Sequence, residues 1–447
     1  MNRIAPRVVA VALLTTTALA GSTIGTEDAI FTASDAAFGD IFGRSLDAEG
    51  DLLVVGAPGN DDAGGSSGSA YMFDLSTGTE IQKITASDQQ FNDVFGQSVA
   101  ISGPRFIVGS RNDNAGNGRT GSVYVFDSAT GEELGKLLAS NGASGDSFGE
   151  SVALEGNMAA IGAPSAGNGA VYLFDISTGD ELFEMRPVVS VGGQRLGESV
   201  AMHGDRVIAG APDETFGGIL DAGAAYLFDT TTGDMVGRFQ SPVPAVRDLY
   251  GSAVDISDQY IAIAAVWDSE AGEKAGAVFI YDADSSNFIR KITPGDDEVL
   301  DYHAFGSSIL LDGDTIVIGA QNLASVGSGP GIVYTYDIPS GDLLAEFVAS
   351  DGAEFDALGA SVALADGMLI AGANRRDSQR GAVYAFNYDS APCPGDTDGS
   401  GAIDLADLNL VLANFGQDTG SGDTDGNGAV DLADLNIVLG AFGTACP

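Results

Sequence analysis

Phe148-Gly149-Glu150-Ser151-Val152-Ala153-Leu154, Ala159-Ala160-Ile161-Gly162-Ala163-Pro164, Gly169-Ala170-Val171-Tyr172-Leu173-Phe174-Asp175 and Thr178-Gly179-Asp180-Glu181-Leu182 follow one another in a single stretch. The first three hold short apolar runs, and a fourth run follows the Thr-Gly pair. Gly, Asp, Asn or Ser bound these runs, and no helical period joins them, so the stretch reads as four strands. Thr178-Gly179 suits the tight turn of a hairpin between the third and fourth strands.

The unit recurs. An aromatic-glycine or leucine-glycine step returns at Phe42-Gly43, Phe95-Gly96, Phe148-Gly149, Leu196-Gly197, Tyr250-Gly251, Phe305-Gly306 and Leu358-Gly359. The steps lie 48 to 55 residues apart. Gly56-Ala57-Pro58 has counterparts at Gly109, Gly162, Gly210, Gly319 and Gly372, but the fifth copy reads Ala264-Ala265-Val266. Tyr71-Met72-Phe73-Asp74 has counterparts at Tyr124, Tyr172, Tyr226, Phe279, Tyr334 and Tyr384. A period near 50 marks a repeat architecture, and four strands per period make one propeller blade. An all-β, seven-bladed β-propeller is therefore expected over residues 28–388. The seventh unit has no fourth strand after Ala382-Val383-Tyr384-Ala385-Phe386. Ile30-Phe31-Thr32-Ala33-Ser34-Asp35 leads into Phe42-Gly43 as Lys83-Ile84-Thr85-Ala86-Ser87-Asp88 leads into Phe95-Gly96. Residues 29–34 are expected to supply the missing outer strand and close the ring through one backbone ladder.

These markers resemble the FG-GAP repeats of the integrin α-subunit propeller and its bacterial relatives. Integrin blades often carry an Asp-x-Asp-x-Asp-Gly calcium loop between the second and third strands. No loop here matches it, with Asp61-Asp62 and Asn112-Asp113-Asn114 the nearest. An Asp two positions before the aromatic or leucine recurs as Asp40, Asp93, Asp146, Asp248 and Asp356. Its expected role is to accept backbone N–H bonds and hold the turn into the first strand.

Beyond Asp389-Ser390-Ala391-Pro392 the composition changes. Residues 393–447 hold nine Asp and neither Lys nor Arg. Two near-identical twelve-residue segments begin at Asp396 and Asp423. Asp396, Asp398, Ser400, Asp404 and Asp407 place oxygens at loop positions 1, 3, 5, 9 and 12, with the Ala402 carbonyl at 7 and Gly401 at 6. Asp423, Asp425, Asn427, Ala429, Asp431 and Asp434 repeat the set, with Gly428 at 6. This is the EF-hand calcium pattern, and two Ca²⁺ ions are expected here. Leu405, Leu408, Val411, Leu412 and Phe415, and then Leu432, Leu435, Val438, Leu439 and Phe442, stand at helical spacing after the loops. Loop-then-helix, twice, resembles the type I dockerin module, so residues 393–447 are expected to form a small α-helical calcium-binding domain. The resemblance implies a cohesin-like partner contacted through Leu405-Ala406 and Leu432-Ala433, positions where many dockerins carry polar residues. The small core and the repelling carboxylates predict folding on calcium binding. Cys393 and Cys446 bracket the module; a disulfide between them would contribute roughly 4 kcal/mol by chain entropy.

Residues 1–20 read as an export signal: Arg3 and Arg7, an apolar run from Val8 to Leu19 too short for a membrane span, then Ala18-Leu19-Ala20. A secreted protein follows, in a compartment where cysteines pair. The formal charge of −44, with 19 Lys and Arg against 63 Asp and Glu, excludes nucleic acid and anionic lipid as partners and attracts cations. No catalytic residue emerges. His203 and His303 stand in turns or beside strands without a nucleophile nearby, and both are expected as surface or turn residues. Ala170-Val171-Tyr172-Leu173-Phe174-Asp175 with Thr178-Gly179 also resembles quinoprotein repeats, but Trp267 is the one tryptophan and stands outside their docking position. The expected function is a non-catalytic adhesion or scaffold protein, its propeller binding a protein or glycan. An accessory component or enzyme of a polysaccharide-degrading system is the alternative.

Overall fold

The computed structural model describes residues 23–114, 118–187, 193–295, 302–322 and 329–388, and 403, 405–416, 430, 432–440 and 442 toward the C-terminus. Ile24–Ala391 forms one compact unit, and Pro392–Pro447 belongs to a second.

The first unit holds seven antiparallel sheets. The third is typical: Val152–Glu155, Met158–Ala163, Ala170–Asp175 and Asp180–Met185, in that order. Each innermost strand packs on the next, and that of the seventh blade, Leu358–Ala365, returns to that of the first, Ser45–Glu49. Seven apolar clusters result, one in each interface between blades. The second and third strands explain their unbroken apolar runs. Side chains alternate across a sheet, and here both faces are covered. Val54 and Met72 point toward the second blade. Leu53, Val55, Tyr71 and Phe73 point toward the seventh. The fourth strands are exposed on one side and revert to alternation.

The repeated markers are interface devices. Phe42 meets Tyr71 and Phe73 edge to face at 5.5 and 5.8 Å, and Phe95 and Phe148 repeat the triangle with their own Tyr-x-Phe pairs. The serine after the Phe-Gly step donates to the glycine carbonyl of the following blade. Ser45, Ser98, Ser151, Ser199, Ser308 and Ser361 do so at 2.8–3.1 Å, and Ser361 closes the circle on Gly43. The five turn aspartates each accept a backbone N–H from the residue three before, at 2.6–2.8 Å, as their spacing led one to expect.

Ring closure runs through the chain start. Ala29–Phe31 pairs with Ala382–Asn387 and supplies the seventh blade's outer strand. It is shorter than the expected 29–34 because Ser34 and Asp35 turn away to hold the first blade. Ser34 N and Oγ donate to Glu80, and Asp35 accepts from Tyr71. The same clasp recurs as Ser87 to Glu133, Ser140 to Glu181 and Ser350 to Glu27. A further strand, Thr23–Thr26, extends the sixth blade to five.

Burial against these interfaces sets the acid response. Desolvation pushes Asp47, Asp93 and Asp255 up to about 6 and Glu198 up to about 7. Their ionised forms are disfavoured in the fold, so that cost is full above the folded pKa and is relieved as pH falls toward the unfolded range near 4. Asp74, Asp127, Asp175, Asp229 and Asp282 go the other way, held low by Ser or Thr hydroxyls in the hairpin turns. Their contribution is present above the unfolded range and lost below it. The melting temperature should therefore rise by on the order of 5 °C between pH 8 and pH 5, and fall again below about pH 3.5. Calorimetry at fixed scan rate across that range reads it; a flat or monotonically falling profile on acidification would contradict the assignment.

In the second unit, helices Leu405–Asn414 and Leu432–Gly440 pack together around Ile403, Val411, Val430 and Val438, flanked by Leu408 and Leu435. The apolar stripes expected from spacing do not all turn inward. Leu405, Leu412, Phe415, Leu432, Leu439 and Phe442 are exposed. Leu405 and Leu412 lie only about 20° apart on a helix, on a face beside the core rather than in it. Phe415 lies beyond the end of its helix. Among the described residues no helix is long and apolar enough to cross a membrane. Residues 1–20 lie outside the described ones.

Candidate functional site

The residue between the Phe-Gly step and its serine occupies one register in every blade: Arg44, Gln97, Glu150, Glu198, then Ser252, Ser307 and Ala360. The innermost strands begin there, so all seven side chains stand at one mouth of the central channel. Four consecutive blades carry long polar or charged groups and three carry small ones. The channel below, about 330 Å³, is ringed by the interface serines. A larger cavity of about 510 Å³ opens above the first, second and seventh blades.

Three guanidinium groups converge on that cavity: Arg44, Arg111 and Arg375. Arg111 donates to both oxygens of Glu150 at 2.9 and 3.2 Å, while Gln97 Nε2 donates to the same carboxylate at 2.8 Å. Arg195 Nη2 stands 2.6 Å from Glu198 Oε2. Arg44 and Arg375 make no side-chain hydrogen bond or ion pair among the described residues. Arg44 is exposed, but into the channel at the centre of the ring. Enclosure by protein holds its pKa below the usual guanidinium range; Arg111 and Arg375 depress it further, while Glu150 and Glu198 oppose. It stays charged at any physiological pH. Carboxamides complete the wall, including Asn92, Asn112, Gln321 and Asn374. Asn374 Oδ1 and Arg111 Nε are buried without a partner among the described residues.

The wall is also strained. The residue before each Phe-Gly step adopts the left-handed backbone conformation, with φ between 54° and 63° in all seven blades. In two blades that residue is β-branched, Ile41 and Val94, for which the conformation is unfavourable by roughly 1–2 kcal/mol. Both line the cavity. The same two connections carry the exposed rings of Phe38 and Phe91.

An FG-GAP repeat model matches residues 26–73, 79–126, 132–174, 241–281, 287–336 and 343–386. The chain belongs to the FG-GAP repeat family. Five of the six matches join a fourth strand to the three inner strands of the next blade, the first beginning in the closing segment; the match over 241–281 starts just after the fourth strand Met235–Phe239. No curated protein matches the chain. In this FG-GAP propeller, fourth-strand cations enter the loops between second and third strands. Lys83 Nζ donates to Asp35, Asn60 and Asp62 at 2.5–3.2 Å. Lys136 Nζ reaches Asp88 and Asp113 at 2.8 and 2.5 Å. Lys291 Nζ reaches Asp268 and Glu270 at 2.8 and 2.6 Å. In these blades an ammonium supplies the positive charge that the loop carboxylates face.

The histidines divide. His203 Nε2 meets Asp258 at 2.9 Å on the surface. His303 is not a surface residue: it is buried against Tyr334, and desolvation pushes it down to about 4, so it is neutral at pH 7. Lys274 lies over the rings of both Trp267 and Tyr302, at 4.3 and 5.0 Å.

Of the expected calcium ligands, Asp407 and Asp434 are described. Both are fully buried in the first turn of their helices. Asp396, Asp398, Ser400, Ala402, Asp404, Asp423, Asp425, Asn427, Ala429 and Asp431 lie outside the described residues, as do Cys393 and Cys446. Among the described residues no three metal-ligating side chains cluster. Leu405 and Leu432 are 65% and 64% exposed, and Ala406 is exposed. The Ala433 side chain is outside the described set.

Proposed function

We propose that the chain is a secreted, non-catalytic binding protein. Its FG-GAP propeller engages a protein or glycan at the channel mouth. Its C-terminal module is a calcium-dependent dockerin-type tether to a cohesin-like partner. The observation that carries the reading is the matched pair of enclosed carboxylates, Asp407 and Asp434, at the start of two equivalent helices. A carboxylate buried in a helix's first turn fits loop position 12, where a hard cation needs a fixed oxygen ligand. The donor set at positions 1, 3, 5, 7 and 9 suits the same ion. Asp396, Asp398, Asp404, Asp407 and their counterparts Asp423, Asp425, Asp431 and Asp434 would hold the cation, whose charge would offset the mutual repulsion of the carboxylates. The exposed Leu405 and Leu432 are then presented in like fashion by both halves.

Titrating the full chain with calcium after chelation should raise helix content in far-UV circular dichroism and add a calcium-dependent step to the melt. The paired change Asp407→Asn and Asp434→Asn should weaken the calcium response at least tenfold and leave the propeller melt in place. No spectral or thermal response to calcium in the unaltered chain would overturn the tether.

A further inference from the structure

We propose that the cavity at the channel mouth binds a carboxylate-bearing sugar, a uronic-acid unit of an acidic polysaccharide. This rests on the reading of the propeller as a glycan-binding face and names its ligand. In a chain where acids outnumber bases more than three to one, a guanidinium without a carboxylate partner among the described residues is exceptional. Two of them, Arg44 and Arg375, come from the first and seventh blades to one cavity, and the third, Arg111, is already held by Glu150. A guanidinium fork matches a planar carboxylate in two parallel hydrogen bonds.

The rest of the wall chooses between sources of that carboxylate. Asn92, Asn112, Gln321 and Asn374 offer donor and acceptor side by side, as vicinal hydroxyls require, and Asn374 Oδ1 awaits a donor. Phe38 and Phe91, 77% and 67% exposed, stand on the two connections that carry the cavity-lining Ile41 and Val94. A large acidic protein would also meet the chain's long-range negative field. A single sugar carboxylate within a Debye length, roughly 8 Å at physiological salt, is dominated by the local arginines.

The sibling blades supply gentle substitutions. Arg44→Gln places at the first blade what Gln97 is in the second, and Arg375→Asn matches Asn322 of the sixth. Calcium-loaded full chain is titrated by calorimetry with trimers of galacturonate, glucuronate and guluronate. The methyl ester of trigalacturonate, which keeps the sugar but replaces the carboxylate with a neutral ester, and triglutamate serve as the other arms. The expected result is binding of at least one uronate trimer, at least tenfold over the ester and triglutamate. Either variant should weaken it at least tenfold, with the melting temperature within 2 °C of the parent. Equal binding of acid and ester, or binding unmoved by both variants, would overturn the carboxylate site while leaving a glycan-binding propeller standing. Preference for triglutamate, or no uronate binding, also overturns it. A glycan array on the same full chain then judges the broader reading separately.

Discussion

Deleting residues 23–31 should lower the melting temperature of the propeller by well over 10 °C and leave an aggregation-prone chain. The segment holds three blades at once. Its ladder, Ala29 with Ala385, Ile30 with Tyr384 and Phe31 with Val383, completes the seventh blade. Asp28 adds two bonds to the same strand, from its N–H to the Ala385 carbonyl and from the Asn387 N–H to its carboxylate, each 2.8 Å. Glu27 clasps Ser350 at the end of the sixth blade. Phe31 is buried between the seventh and first blades, edge to face with Phe73 at 5.5 Å. Losing that ring alone costs about 3–5 kcal/mol. The deletion also strips the cover from Ala382–Asn387, exposing a mostly apolar, unpaired strand edge. Phe31→Ala measures the packing share separately. Adding a peptide of residues 23–35 to the deleted chain should restore part of the lost stability, because a strand can be supplied in trans. An unchanged melt on deletion would remove the latch from the account.

That latch was legible because its residues repeat. Glu27 to Asp35 has the register of Glu80 to Asp88, so the sequence carries the seventh blade's outer strand at its beginning. The turn aspartates were legible for the same reason. Thr23–Thr26 was not, since in that register Thr23-Ile24-Gly25-Thr26 aligns with the hairpin turn Ser76-Thr77-Gly78-Thr79, and its pairing with the sixth blade is a sheet edge finding a neighbour. His303 was misplaced because its neighbours Tyr302 and Ala304 read as a turn. The turn folds inward here, and the imidazole takes a place against Tyr334.

The channel-mouth site was half legible. Arg44 and Arg375 stand at opposite ends of the repeat domain, and no local motif joins them. The signal lay across the repeats: aligning the position after each Phe-Gly step puts Arg44, Gln97, Glu150 and Glu198 in one register. A ring turns a column of such an alignment into a circle of neighbours. The column also shows asymmetry, and departures from the repeat are where a symmetric scaffold makes room for a ligand. The exposed leucines of the two helices teach a related lesson. Spacing placed Leu412 and Leu439 on the same stripe as the core residues, but two short helices have room between them for only one narrow stripe each.

The second large effect is expected from Gly162→Ala, which should destabilise by about 3 kcal/mol through overpacking alone. The Cα of Gly162 faces the next blade so closely that an added Cβ would lie 2.0 Å from the Gly197 carbonyl oxygen and 2.3 Å from Ser151 Oγ. The first obstacle is backbone, locked by the Ser151 bond to Gly197, so neither blade can yield without opening the interface. Gly56, Gly109, Gly210, Gly319 and Gly372 meet the same obstacle at 1.9–2.3 Å. The fifth blade shows what tolerance requires. There Ala264 replaces the glycine, and the serine of the register has become Ala253, so no hydroxyl competes for the space. Gly162→Ala with Ser151→Ala should therefore recover part of the loss, although Ser151→Ala alone removes a hydrogen bond worth about 1 kcal/mol. Ala264→Gly should change stability by about 1 kcal/mol or less, since the fifth blade already houses the methyl and the change adds no atom. Melting curves of the four variants at one scan rate decide it. Additive losses in the double variant would show that the methyl is excluded by backbone alone, and that the paired change in the fifth blade is not a compensation.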